Sequence, residues 1–175
     1  MYIRTKRIRS KNSVFTYAYL VKNKRLKHRI KQRNLRYLGR VYKLMPITSN
    51  SLDLTLLDKD KQSIIYSLIE VELFNHGFKK TNQFNFHLGD IKITLDKIKI
   101  KNVKNKDIVL EINEGFLCEH TIKSLLAFKF PNLDEKSCGI CLASTLLNAG
   151  IKLNQDLFIK LFNKFYEDIS PSRDN

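Results

Sequence analysis

The first quarter of the chain alternates polar and apolar residues with a period of two, a pattern typical of strands in a half-buried sheet. A loose alternation covers 2–9, a clear one covers 14–21, and a third covers 28–38. The middle segment divides between two faces, with Phe15, Tyr17, Tyr19 and Val21 on one and Val14, Ala18 and Leu20 on the other. Because residues 22–27 are polar, we interpret them as the loop between the second and third strands. The pattern predicts an antiparallel β-meander that ends near Gly39.

From about residue 58 or 60 the apolar spacing changes to three and four, which predicts a helix as far as Asn75, with Gly77 as its stop. The remaining predicted elements are strands at 84–88, 91–95 and 108–112, and helices at 117–129, 135–148 and 155–168. Asn154 is placed to cap the last helix. The predicted fold class is α+β: a basic antiparallel β-meander followed by an α-β-β-β-α-α-α domain.

The charge of the chain is concentrated in the predicted meander. Of the 32 Lys and Arg residues, 15 fall within 1–45, a segment without Asp or Glu, and the other 17 are balanced by all 17 acidic residues. The whole net charge of +15 therefore belongs to the first quarter of the chain. The charge character changes across the polar joint 46–53, so we expect two domains, a basic β-rich arm at 1–45 and a neutral α+β domain at 46–175.

A block of positive charge without counter-charge repels itself, and a polyanion would supply the missing charge. We therefore expect the arm to bind nucleic acid by neutralising phosphates. The candidate contacts are Arg4, Lys6, Arg7, Arg9, Lys22, Lys24, Arg25, Lys27, Arg29, Lys31, Arg33, Arg36 and Arg40. Tyr17 and Tyr19 are candidates for stacking on bases, and packing within the sheet is the alternative role of such tyrosines.

Two segments of the arm carry a resemblance to a known family. They are 17–25, with the sequence YAYLVKNKR, and 30–41, with the sequence IKQRNLRYLGRV. Together they resemble the N-terminal β-rich module of bacterial and archaeal transposases of the IS4 and IS1634 type, a module similar to small archaeal proteins of unknown function. The resemblance covers about 40 residues and implies a nucleic-acid-binding arm without chemistry. It also favours DNA over RNA as the ligand.

Two metal sites are alternatives within the neutral domain. Cys118, His120, Cys138 and Cys141 have the spacing C-x-H followed by C-x-x-C, which would suit zinc, although the helical periodicity around the last two favours cysteine packing. Glu70 or Glu72, Asp90 and Glu111 are loosely similar to the acidic triad of the restriction-endonuclease-like core, which would hold Mg²⁺. Asn113 stands where that family has its lysine, so this alternative implies a nuclease or a non-catalytic relative.

Composition limits the other classes of function. An odd number of cysteines, three, cannot form a closed disulfide framework, so we expect a reducing, cytoplasmic location. No stretch approaches the roughly 18 apolar residues of a membrane span, so we expect no membrane contact. Our interpretation is a nucleic-acid-binding protein that uses no cofactor and is not an enzyme. The third alternative is a ribosome-associated or regulatory protein whose C-terminal helices contact a protein partner.

Overall fold

A computed structural model of the chain describes residues 1–10, 13–27, 29–51 and 53–167. His28, the predicted start of the third strand, lies outside the described residues, as does 168, the predicted end of the last helix. Four helices and two sheets make up the described part of the chain. The fold is of the α+β class, as predicted, and it begins with an antiparallel meander.

The meander consists of β1 (Tyr2–Ser10), β2 (Ser13–Leu26) and β3 (Arg29–Lys43). Two details of its prediction are wrong, because residues 22–26 continue β2 instead of forming a loop and β3 extends beyond Gly39. The outer part of the β2–β3 hairpin is largely exposed on both faces. A strand without a buried face needs no apolar alternation, so the pattern that reveals half-buried strands is missing there.

Two irregularities interrupt the pairing of β3 with β2. The register passes from Val21–Asn34 to Leu20–Arg36, and then from Tyr19–Tyr37 to Ala18–Gly39. Leu35 and Leu38 are thus extra residues, as in β-bulges, and each extra residue reverses the face on which the following side chains lie.

Gly39 lies where the meander joins the rest of the molecule. Its φ is +135°, and a Cβ atom there would overlap the carbonyl oxygen of Asp107, so the backbones approach too closely for any other residue. Directly after this glycine, β3 pairs in parallel with β8 (Ile108–Ile112), which pairs antiparallel with β9 (Gly115–Leu117). One five-stranded sheet of order β1-β2-β3-β8-β9 therefore includes both the basic and the neutral parts of the sequence.

A second, four-stranded antiparallel sheet lies within the neutral part. Its strands are β4 (Lys79–Lys80), β5 (Asn85–Leu88), β6 (Ile91–Thr94) and β7 (Lys99–Asn102). The predicted strands at 84–88, 91–95 and 108–112 correspond to β5, β6 and β8. The sequence did not indicate β4, β7 and β9, which have only two to four residues and so show too short an alternation.

The four helices agree with the predicted ones in order and in approximate extent. They are α1 (Lys61–Asn75), α2 (Glu119–Leu126), α3 (Glu135–Asn148) and α4 (Gln155–Glu167), and a 3-10 helix, Leu54–Asp58, precedes α1. The side chain of Asn154 accepts a hydrogen bond from the backbone N–H of Leu157 at 2.8 Å, which confirms the predicted cap of α4. α2 is shorter than predicted at both ends, and it begins later because residues 115–117 pair with β8 as a strand.

Two apolar clusters lie on opposite faces of β8. Ile108, Leu110 and Ile112 join the larger cluster with the helices and the second sheet, whereas Val109 faces a smaller cluster with Ala18 and Val41 of the meander. The meander is therefore packed into the molecule at its base, and its hairpin end extends away. No helix in the described ranges is long and apolar enough to span a membrane.

Candidate nucleic-acid interface

The outer half of the β2–β3 hairpin, residues 22–27 and 29–33, forms an exposed two-stranded structure that we call the cationic ribbon. Its described charged side chains are all basic and all exposed: Lys22, Lys24, Arg25, Lys27, Arg29, Lys31 and Arg33. Within the part of the chain that the structure describes, none of these seven forms an ion pair with an acidic group. The charge of the ribbon is thus not neutralised by its own protein.

Like charges face each other directly across the ribbon. Lys22 is the register partner of Arg33, and Lys24 is the register partner of Lys31. Directly opposed residues of an antiparallel pair lie on the same face of the sheet. Arg29 lies on that face as well, because it precedes Lys31 by two residues on the same strand. These five cations form the charged face of the ribbon. Opposed like charges destabilise a strand pair, so a bound anion would relieve a repulsion that the free protein retains.

The other face of the ribbon is braced by the start of β1. The Tyr2 hydroxyl donates to the side-chain oxygen of Asn23 at 3.3 Å and accepts from the Gln32 amide, while Arg4 donates to the oxygen of that amide. This network connects all three strands at the base of the ribbon. It uses Arg4, one of the predicted phosphate contacts.

Three tyrosines meet on the same side of the meander and form a surface that we call the tyrosine face. The ring centroid of Tyr37 lies 6.2 Å from that of Tyr17 and 5.5 Å from that of Tyr19. Tyr37 is 53% exposed, whereas the other two are half-buried. Burial, followed by the two neighbouring tyrosines, raises the pKa of Tyr37 above its usual value. The three rings thus form one continuous aromatic surface that is open on one side.

Two cations, Lys6 and Arg40, lie on this aromatic side of the sheet. The Lys6 amino group lies 5.9 Å from the centroid of the Tyr19 ring, and the Arg40 guanidinium lies 4.1 Å from that of Phe15. In the register, Lys6 pairs with Tyr17, which pairs in turn with Arg40. Both cations therefore lie on the same side of the sheet as the tyrosines, within the range of cation–π contacts.

Sequence reasoning missed Tyr37. A strict period of two places it on the face of Lys31 and Arg33, because all three numbers are odd. The extra residue Leu35 reverses that order and brings the ring to the side of Tyr17 and Tyr19. No sequence signal marks the irregularity, because Leu35 is an ordinary strand residue.

The remaining predicted cations do not all belong to one surface. Arg36 donates to the Glu119 carboxylate at 3.2 Å, which also accepts from Lys123 at 2.6 Å. The hydrogen bond from Lys123, with a further contribution from Arg36, lowers the pKa of Glu119. Arg7 and Arg9 are exposed near the opposite end of β1 from Tyr2. The structure thus gathers the ribbon cations in one group and Lys6 and Arg40 in another.

The four candidate zinc ligands are not brought together. The Cys138 thiol contacts the carbonyl oxygens of Pro131 and Leu133 at 3.4 and 3.6 Å. Burial raises the pKa of the Cys118 thiol, and burial followed by the charge of Arg36 lowers the pKa of His120. Across the described residues, no group of three or more His, Cys, Asp and Glu side chains is close enough to hold a metal ion. All three cysteines are free thiols, and Cys118 and Cys138 are buried.

The acidic residues of the nuclease alternative also lie apart. Glu70 pairs with Lys80 at 2.5 Å, and Glu111 pairs with Lys43 at 3.5 Å. Asp90 is exposed in the turn between β5 and β6. No described metal-binding cluster includes them, so the geometry offers no support for a Mg²⁺ site at these residues.

Glu72 is buried and forms hydrogen bonds that hold the fold together. It is 4% exposed, and its carboxylate accepts from the Asn113 side chain at 2.9 Å and from the backbone N–H of Lys152 at 2.8 Å. Asn113 also donates to the carbonyl oxygen of Gly150 at 2.7 Å and has a positive φ of 48°. The residue that stands in place of a nuclease lysine thus connects α1 to the loop before α4.

An open cleft of about 460 Å³ lies beside Glu72 and is also lined by Asn75 and Asn154. The amide of Asn75 exchanges hydrogen bonds with the backbone of Asn50, accepting at 2.7 Å and donating at 3.0 Å. Asn154 caps α4. Glu72, Asn75 and Asn154 of the cleft are therefore engaged in holding loops to helices.

The C-terminal helices carry a small exposed apolar surface. Ile140 and Leu147 of α3 are 58% and 50% exposed, and their separation of seven residues places them on one side of the helix. Contact with a protein partner through these helices stays a prediction.

Comparisons with protein-family models, with curated proteins and with solved structures found no significant match to this chain. The resemblance of 17–41 to the transposase module therefore also stays a prediction.

Proposed function

We propose that this protein binds nucleic acid through the charged face of the cationic ribbon and performs no chemistry on it. The observation that carries the proposal is the set of five unpaired cations on that face, with Lys22 opposite Arg33 and Lys24 opposite Lys31. A surface that packs like charges against each other is favourable when an anionic polymer lies on it. Lys and Arg contacts with phosphates would supply affinity without sequence information.

The shape of the ribbon supports DNA as the ligand. The major groove of B-DNA admits a two-stranded β-ribbon, whereas the major groove of A-form RNA is too deep and narrow for side chains to read. Five successive pairs, from Lys22–Arg33 to Leu26–Arg29, give the ribbon a length of about 13 Å at about 3.3 Å per residue. The resemblance to transposase modules favours DNA independently.

A double substitution in the ribbon tests the proposal. Lys24→Ala with Lys31→Ala removes one opposed pair from the charged face, and both side chains are exposed. At about 1 kcal/mol per exposed charge contact, we expect the dissociation constant for a short fluorescent DNA duplex to rise about 10- to 30-fold at low salt. Fluorescence anisotropy measures this change.

The matched control removes the same charge elsewhere. Lys97 follows β6 and Lys129 follows α2, and both are exposed on elements outside the meander. Lys97→Ala with Lys129→Ala should leave the dissociation constant within about twofold of the wild type, because distant exposed charges are screened. Equal weakening by both double variants would mean that net charge alone attracts DNA. Absence of binding by the wild type would refute the proposal.

A further inference from the structure

We infer that the tyrosine face stacks on unpaired bases, so that the protein binds single-stranded nucleic acid, or an unpaired segment beside a duplex, through Tyr37 together with Tyr17 and Tyr19. The inference rests on the proposed function, since it concerns the ligand of the same meander. It adds a second contact surface on the opposite side of the sheet from the charged face of the ribbon.

The exposure of Tyr37 is the first argument. Its ring contacts two half-buried tyrosines, and the residue as a whole is still 53% exposed. Aromatic side chains on an open sheet face form stacking platforms for bases, and every base has a π-face that such rings accept. Tyr17 and Tyr19 hold the exposed ring in place, which reduces the conformational entropy lost when a base binds.

Charge complementarity identifies a nucleic acid as the occupant. Lys6 and Arg40 lie on the same side of the sheet as the three rings and contact aromatic groups at 5.9 and 4.1 Å. The meander strands lie within residues 1–45, a segment that contains no Asp or Glu. Aromatic rings beside cations match a ligand that alternates bases and phosphates, whereas an apolar peptide would supply no negative charge to these cations.

The two surfaces would discriminate between forms of nucleic acid. In a duplex the base faces are stacked on each other and are inaccessible to a protein ring, so the tyrosines can add affinity only for unpaired bases. The charged face of the ribbon contacts phosphates, which both forms present. Loss of the Tyr37 ring should therefore weaken binding of a single strand and leave binding of a duplex unchanged.

Three substitutions at Tyr37 test this inference with an oligonucleotide of mixed sequence, in single-stranded and duplex form. We expect Tyr37→Ala to raise the dissociation constant for the single strand at least about fivefold and Tyr37→Leu to do nearly the same, because leucine restores apolar bulk without a ring. Tyr37→Phe keeps the ring and should bind as the wild type does. Thermal unfolding of each variant checks that the fold is retained.

Intrinsic fluorescence gives a second readout. The chain has seven tyrosines and no tryptophan, so its emission comes from tyrosine alone. Stacking on bases should quench part of that emission when the single strand is added, and Tyr37→Leu should show less quenching than the wild type at saturation. A duplex should quench the emission of the wild type and of Tyr37→Leu less than the single strand quenches that of the wild type.

The outcomes separate this inference from the proposed function. If the Tyr37 variants bind both ligands as the wild type does, while Lys24→Ala with Lys31→Ala weakens both, the stacking inference is refuted and the ribbon proposal stands. Equal weakening of single strand and duplex by Tyr37→Ala also refutes stacking, because it indicates a structural role. If the wild type binds neither ligand, both ideas fail.

Discussion

The dependence of DNA binding on salt tests most directly whether the charged face of the ribbon meets phosphates. Each phosphate contact releases condensed counterions, so the logarithm of the binding constant falls linearly with the logarithm of the salt concentration. The perturbation is a series of salt concentrations applied to the wild type and to Lys24→Ala with Lys31→Ala. Both side chains lie on the charged face and are exposed.

The magnitude follows from the number of cations that the register gathers on one face. Five cations at about −0.9 each give a slope of about −4.5 for duplex DNA, and at about −0.7 each they give about −3.5 for a single strand. Removing two of the five leaves three, so the double variant should have a slope of about −2.7 with duplex and about −2.1 with a single strand. The variant thus differs from the wild type in the slope itself.

Anisotropy titrations of a labelled duplex over the salt series provide both slopes, and Lys97→Ala with Lys129→Ala serves as the control. That control should have the slope of the wild type, because neither residue belongs to the ribbon. A wild-type slope shallower than about −2 would show that most ribbon cations do not contact phosphates. An unchanged slope in the ribbon variant would refute the assignment of Lys24 and Lys31 even if the wild-type slope is steep.

Three further variants test stability and are measured by urea unfolding. Gly115→Ala should destabilise the fold by at least about 3 kcal/mol, since a Cβ there would overlap backbone atoms of Leu147 and Gly150. Gly139 lies in a helix, and the nearest atom to an added Cβ there is 3.8 Å away. Gly139→Ala should therefore stabilise the fold by about 0.5–1 kcal/mol. A similar loss of stability in both glycine variants would contradict the close approach at Gly115. Glu72→Gln should cost about 2 kcal/mol, because each oxygen of the buried carboxylate accepts one hydrogen bond, whereas an amide has one oxygen and would turn its NH2 group toward the other donor. An unchanged free energy of unfolding would argue against a structural carboxylate.

The helices and most strands could be predicted from the sequence because each has a local pattern of apolar residues. α1, α3 and α4 have apolar residues at helical spacing over more than three turns, and the alternation of 14–21 marks the half-buried part of β2. Such signals arise where one face of an element is buried, and the burial itself imposes the period. The signal ends where burial ends, which is why residues 22–26 resembled a loop.

The candidate interface could be predicted from the sequence only in part. The sequence locates all the excess charge within 1–45, since counting residues requires no structure. It does not divide those cations between faces, because that division depends on the register and on the extra residues Leu35 and Leu38. It therefore did not indicate that Arg36 pairs with Glu119 or that Tyr37 joins the other two tyrosines.

The sequence by itself determined the α+β class, the order of the main elements and the position of the basic segment, all of which depend on local periodicity or on composition. Tertiary structure alone decided that β3 pairs in parallel with β8, that Glu72 accepts from Asn113, and which cations oppose each other on the ribbon. These contacts join residues far apart in the chain. Their choice depends on how complete surfaces pack and pair, and no short stretch of sequence contains that information.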